Sequence, residues 1–185
     1  MVAAAEKNDR VLMAAFNNRY RNDAQILKTF LQKGEVGKIF YVKSGWLLKH
    51  TDWDDKSWKS QKRLAGGGVL IDLGVQMLDL ALWILGMPEV ETVTASTVTR
   101  PGVDQVESNA AAFLRLSSGA TLTLEVGWSL LMEKDFAYLN LFGEHGAALL
   151  NPLRLHREMH GSLVNVTPSV ESSRNFYRQS YENEL

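Results

Sequence analysis

The stretch "GGGVLIDLGVQMLDLALWILG", residues 66–86, constrains what this chain can fold into more than any other. Its apolar residues cover nearly every side of a helix, so a helix from about Val69 to Leu85 must be buried over most of its surface. Asp72, Gln76 and Asp79 interrupt it. Spacings of four and then three put them on one stripe. A buried carboxylate is costly unless paired or hydrogen-bonded, so two on one line need a polar cavity, a partner or solvent. An isolated aspartate would be read as structural, Asp79 accepting hydrogen bonds and Asp72 facing a wet crevice. The triple glycine shifts that reading. Gly66, Gly67 and Gly68 let a small molecule approach the backbone, and they lie where a helix start leaves N–H groups free. A stripe beginning there can face a bound polyol. The same stretch is about long enough to span a bilayer, but its two carboxylates and its glutamine favour a buried helix of a soluble protein.

The rest of the chain supplies a partner for that helix. "VLMAAF" reads as a short buried strand after a helix end, "MVAAAEKND". "NDAQILKTFLQKG" reads as a helix, with Asn22 or Asp23 to cap it and Gly34 to end it. "GKIFYVKSGWLL" reads as a strand, and residues 49–65 as a long polar loop with interleaved tryptophans. After Pro88 the period becomes two. "VETVTASTV", "ESNAAAFLRL", "ATLTLEVGW" and "AYLNLFG" are strands, "AALLNPLRLH" and "LVNV" add short ones, and "SSG" and "GEHG" make hairpin turns. In the third of these, Ala120, Leu122, Leu124, Val126 and Trp128 share one face, Thr121, Thr123 and Glu125 the other. The expected fold is α+β: an open antiparallel sheet of about six strands with helices packed on one face. Thr92, Thr94, Tyr138 and Asn140 are expected on the other face, with Thr121, Thr123 and Glu125, where a homodimer or tetramer would form.

Bulk properties exclude several function classes. The net charge of −1 makes no case for nucleic acid or an acidic membrane. With no cysteine among 185 residues, disulfides and thiolate metal sites are impossible, which suits the cytoplasm. "HTDWDD" is too loose for a hard-cation site, and His156 with His160 makes only a pair, so no metal is assigned.

The motif itself resembles the core of the glucose–fructose oxidoreductase / inositol dehydrogenase / MocA (Gfo/Idh/MocA) family. There it runs Gly-Gly-Gly, three residues, Asp, one residue, Gly, one residue, His, two residues, Asp, and an apolar run to Leu-Gly-x-Pro. Here it reads Gly66-Gly67-Gly68, Asp72, Gly74, Gln76, Asp79 and "LGMP". "VLMAAFNNRY" is similar to the strand after the family's lysine motif, with Arg19 in the usual place. "GEVGKIFYVKSGW" is similar to the first sheet strand, Trp58 to the tryptophan before the glycines, and "NFYRQSYENEL" to the start of the closing helix.

The resemblance implies the C-terminal domain of an NAD(P)-dependent oxidoreductase acting on a hydroxyl or carbonyl of a sugar or cyclitol. Residues 1–16 would be a remnant of the dinucleotide-binding domain, and residues 17–185 an α+β substrate and oligomerisation domain, truncated in its closing helix. Asp72 and Gln76 take the catalytic positions. Arg19, Trp58, Gly67 and Gly68 join them around substrate. Trp53 and Trp58 are candidates to line the crevice, and Arg19 reads equally as a salt-bridge partner. Two departures matter. No GxGxxG turn occurs, so NAD or NADP would belong to the parent's own N-terminal Rossmann domain and not bind this chain alone. Gln76 replaces the family histidine and cannot titrate. His50 is the one candidate replacement, against the plainer reading of a solvated loop histidine. The competing reading is a non-catalytic oligomerisation or ligand-binding module that kept the fold.

Overall fold

The computed structural model describes residues 1–50, 58–100, 105–169 and 176–185. A short helix α1 (Val2–Lys7) leads to a 3-10 turn, Asn17–Tyr20, and helix α2 (Asn22–Gln32). Strand β1 (Ile39–Lys49) follows, then α3 (Lys62–Ala65), a π turn (Leu70–Gly74) and α4 (Val75–Ile84). Seven strands complete the sheet: β2 (Val90–Val98), β3 (Asn109–Leu116), β4 (Thr121–Leu130), β5 (Phe136–Gly143), β6 (Gly146–Leu150), β7 (Arg154–Met159) and β8 (Ser162–Asn165). Helix α5 (Phe176–Glu184) closes the described chain.

The sheet has eight strands in the order β2-β3-β4-β1-β5-β6-β7-β8. Every pair is antiparallel except β1 with β4, where Val42 meets Leu122 and Trp46 meets Val126. The α+β expectation holds, with two strands more than the expected six. The difference lies in "AALLNPLRLH", where a turn at the cis Asn151–Pro152 bond separates β6 from β7, and in "LVNV", which pairs as β8. The one parallel pair arises because β1 enters the middle of a sheet otherwise built from hairpins.

Alternation sets the two faces. Leu122, Leu124 and Val126 of β4, Val42 of β1 and Leu139 and Leu141 of β5 are buried against Leu27 of α2 and Met77, Leu80 and Ala81 of α4. Ser44 Oγ donates to the Met77 carbonyl at 3.2 Å and ties β1 to the site helix. The opposite face carries cross-strand rows, such as Thr94, Phe113, Thr123, Lys43, Asn140 and Leu149. At its centre the Tyr138 ring lies over Gly45 and its hydroxyl donates to Glu125 at 2.9 Å. Burial first, then that carboxylate, push the Tyr138 phenol well above its usual range.

Four local expectations are corrected. "VLMAAF" forms no strand: residues 10–16 are irregular, and Val11, Leu12 and Met13 are exposed because no described strand is there to pair with them. Helix α2 is entered from Arg21, and neither Asn22 nor Asp23 makes a cap. Asp23, already inside the first turn, accepts the Arg21 guanidinium at 2.7 and 3.0 Å and the Ala24 N–H at 2.9 Å. Strand β2 alternates in sequence, yet all nine of its residues are exposed, since no helix reaches the sheet's edge. The long loop is shorter than expected, its last residues forming a 3-10 turn (Trp58–Ser60) and α3. Lys62–Ile84 is the one helical stretch among the described residues long and apolar enough to cross a membrane; its Met77, Leu80, Ala81 and Ile84 face the core of the sheet.

Candidate functional site

The triple glycine breaks the chain rather than opening the helix. Gly66 takes φ +79 and ends α3, a conformation that favours glycine. Gly68 leads into the site helix, and a Cβ there would overlap the carbonyl oxygen of Glu107. The expectation of free N–H groups at this helix start is overturned. Glu107 Oε1 accepts from Gly68 N at 3.0 Å and from Leu70 N at 3.3 Å, and its carbonyl accepts from Val69 N at 2.9 Å. The close approach for which glycine is needed is made by the segment before β3, not by a ligand. Nothing in "DQVESNAAAF" singled out Glu107, because the helix start it caps lies far away in sequence.

Past that cap the helix widens by one π turn, Leu70–Gly74, which carries Asp72. Single π turns within helices often accompany functional positions. Asp72 Oδ2 accepts from Lys59 Nζ at 2.9 Å and from Trp128 Nε1 at 3.2 Å. Oδ1 accepts nothing from the described residues. A cavity of about 140 Å³ lies beside it, lined by Trp58, Lys59, Gly67, Gly68, Asp72 and Trp128, with Ala65 and Ile71 at its edge. Four of the six residues singled out from sequence therefore converge: Trp58, Gly67, Gly68 and Asp72. Lys59 and Trp128 were missed as site residues. Trp128 follows the buried alternation of β4, and only its indole N–H, which needs an acceptor when buried, could have marked it. Trp53 lies outside the described residues.

Gln76 and Arg19 do not line that cavity. They belong to a second cluster, where the site helix meets the turn Asn17–Tyr20. Gln76 Oε1 accepts from Asn18 Nδ2 at 3.5 Å. Arg19 grips Asp79 with two nitrogens, Nε donating to Oδ2 at 2.8 Å and Nη2 to Oδ1. That hydrogen bonding raises the Arg19 pKa further, against the opposing effect of burial. The turn is itself anchored from α5: Asn17 Nδ2 donates to Ser180 Oγ at 2.9 Å, and Phe16 N to Glu184 at 2.8 Å. Beside it Lys28 stands over the Trp83 ring at 3.6 Å, and burial, then the Arg19 charge, lower its pKa.

No group of three or more potential metal-ligating side chains occurs among the described residues. His50 donates its backbone N–H to the Leu130 carbonyl and lines neither cluster. Chemically, then, the site offers an ionisable carboxylate fixed on one side, an ammonium, an indole and an exposed aromatic face, Trp58 being 54% exposed.

Comparison with known proteins identifies the family and the fold. The family description "GFO/IDH/MocA C-terminal domain" matches residues 24–149. D-glucoside 3-dehydrogenase of Escherichia coli (strain K12) is 27% identical over 197 residues, covering 98% of this chain and 56% of that protein. A putative UDP-kanosamine synthase oxidoreductase subunit of Amycolatopsis mediterranei (strain S699) is 30% identical over 165 residues, covering 80% of this chain and 46% of its own length. Among solved structures, levoglucosan dehydrogenase in complex with NADH and levoglucosan superposes with a TM-score of 0.80 at 18% identity, over 98% of this chain and 57% of that one. The chain spans about half the length of the curated relatives it matches. The matched segment runs from α2 through the glycines, the Asp72 turn and the central strands, and the chain belongs to the Gfo/Idh/MocA family as its C-terminal domain.

Proposed function

We propose that this chain is the substrate-binding and oligomerisation half of an NAD(P)-dependent oxidoreductase acting on a sugar or related polyol, working in the cytoplasm. The observation that carries the reading is the half-satisfied Asp72 carboxylate beside a small cavity with an exposed tryptophan. A sugar hydroxyl suits the open Oδ1, and a pyranose face suits Trp58. The relatives act, by their names, on glucosides and levoglucosan. Several solved relatives hold NAD or NADH.

Among the described residues, the start of the site helix does not fit a dinucleotide's diphosphate. The helix start that could have cradled it has Gly68 N, Val69 N and Leu70 N already bound to Glu107. A nicotinamide held by a separate dinucleotide-binding domain would supply the hydride-accepting chemistry, with the hydride coming from the carbinol carbon of the substrate. Val11, Leu12 and Met13 are exposed apolar side chains, as are Ile71 and Val75 of the site helix, and such side chains suit contact with that domain. On this side of the reaction Asp72 accepts one hydroxyl, while Gln76, paired with Asn18 outside the cavity, cannot move a proton, since an amide does not titrate. The open sheet face, with Thr121, Thr123, Glu125 and Tyr138, is the surface for a second copy.

The test is oxidation of a sugar panel by the chain joined to a dinucleotide-binding domain, followed through absorbance of reduced nicotinamide. Turnover of one or more sugars is expected. Binding without turnover would instead favour the non-catalytic module, which Gln76 in place of histidine makes the second reading. Light scattering on the chain alone is expected to show a dimer or larger assembly.

A further inference from the structure

We propose that Lys59 and Trp128 are positioning residues that lock Asp72, so that a single carboxylate oxygen selects one hydroxyl of an uncharged polyol. The inference rests on the polyol reading of this cavity and goes beyond it by naming what sets the selection.

Three elements meet at one oxygen. Lys59 comes from the turn Trp58–Ser60, Trp128 from the core face of β4, and Asp72 from the π turn of the site helix. Both donors converge on Oδ2, at 2.9 and 3.2 Å. A carboxylate held at one oxygen by an ammonium and a rigid indole cannot rotate freely, because rotation would give up a charge-assisted bond. Oδ1 is left without a donor from the described residues, on a side chain that lines the cavity, and only a donor can occupy its lone pairs. Without the two clamps Asp72 would sample several rotamers and meet hydroxyls at several ring positions. With them it meets one.

The charge balance selects further. Lys59 pairs with Asp72 and so offsets the carboxylate's charge at the point of contact. An anionic group would face Asp72, and a cationic one would compete with Lys59. A hydroxyl does neither. The cavity, about 140 Å³, has roughly the volume of four to five waters at ~30 Å³ each. That admits part of a monosaccharide ring and excludes a nucleotide.

The experiment uses the 185-residue chain and the indole N–H resonances of its five tryptophans. Trp128→Phe identifies the Trp128 resonance by its loss, and Asp72→Asn is expected to move it. The probes are methyl β-D-glucopyranoside, its monodeoxy analogues and glucose 6-phosphate. The glucoside is expected to shift the Trp128 and Trp58 resonances, and one deoxy analogue to bind about tenfold more weakly, as loss of one hydrogen bond to a charged group predicts. In Lys59→Met and in Trp128→Phe that tenfold preference is expected to fall below about threefold, while Lys59→Arg retains it. A dispersed indole spectrum reports that each variant is folded. Binding of the glucoside with the preference intact in both variants would overturn the positioning role and leave the polyol reading standing. Tighter binding of glucose 6-phosphate than of the glucoside would overturn the selection of an uncharged ligand. Indole resonances unmoved by every sugar would remove the polyol reading and the proposal together.

Discussion

Asp72 and Asp79 stand seven residues apart on the same apolar helix, and the protein treats them in opposite ways. Asp79 has only 10% of its side chain exposed, and both of its oxygens accept from Arg19. Asp72 is 33% exposed, both its donors fall on one oxygen, and its side chain lines a cavity. The backbone differs as well: Asp79 lies in regular α-helix, and Asp72 in a π turn whose start is capped by Glu107 from the far side of the glycine break. A carboxylate consumed on both oxygens by one fork holds two elements together and has nothing left for a ligand. A carboxylate consumed on one oxygen only is anchored and still able to recognise. The difference between structural and recognising acid is thus set by which oxygens the neighbours take.

If the N-terminal end of the helix is a rigid platform, the largest effect should come from a residue that touches neither acid. Gly68→Ala places a methyl group against the Glu107 carbonyl, a backbone atom that cannot move without losing its bond from Val69 N. Overpacking of this kind is expected to cost about 3 kcal/mol, read from urea denaturation. A midpoint equal to that of the parent chain would show that the platform is soft and that the cap does not define it.

Asp79→Ala attacks the closed end. It strips Arg19 of both acceptors, and hydrogen bonds to charged groups lie near 1.5–3 kcal/mol. With Arg19 30% exposed, water recovers part of that, and a loss of about 2 kcal/mol is expected. The double variant Arg19→Met with Asp79→Leu should recover much of it, since no charge is then left unpaired. Failure to recover would mean that Asp79 does more than hold the Asn17–Tyr20 turn. Glu107→Gln is expected to be milder, about 1 kcal/mol, because an amide oxygen still accepts from Gly68 and Leu70 but without the carboxylate's charge at the helix start.

These residues also show where a sequence can be read and where it cannot. The helix, the polar stripe and most strands follow from periodicity, a local property that survives in one dimension. The acids of the four-three stripe do lie on one helix but meet different partners, and the Gly-rich break before them marks a site of close approach. What approaches was not legible: the Glu107 contact joins residues 39 positions apart. Trp128 is 56 positions from Asp72, and Arg19 is 60 from Asp79. Neither alternation nor helical period encodes which oxygen of an acid a distant donor will find. The segment 11–16 fails for the converse reason. Its composition suits a buried strand, but a strand needs neighbours, and none of the described strands pairs with it. Strand β2 repeats the lesson at the sheet's edge, where an alternating pattern coexists with full exposure.

The smallest effect on stability, and the sharpest contrast with Asp79, is expected from Asp72→Asn. The Lys59–Asp72 pair has about a third of each side chain exposed, and ion pairs in such settings contribute about 0–1 kcal/mol. The amide oxygen of asparagine can still accept from Lys59 or Trp128, which limits the loss at Oδ2. An unfolding free energy within about 0.5 kcal/mol of the parent is therefore expected. Ligand binding should respond quite differently. If the amide keeps its oxygen on the Lys59 and Trp128 side, its NH₂ group turns toward the cavity and presents a donor where a hydroxyl proton had found an acceptor. A polyol then loses its bond and meets a misplaced donor, and affinity should fall by at least about tenfold. Calorimetric titration with a glucoside, beside urea denaturation of the same variant, reads both quantities. A variant as destabilised as Asp79→Ala, or one that binds the glucoside unchanged, would erase the distinction between the two acids and make the whole stripe a packing device.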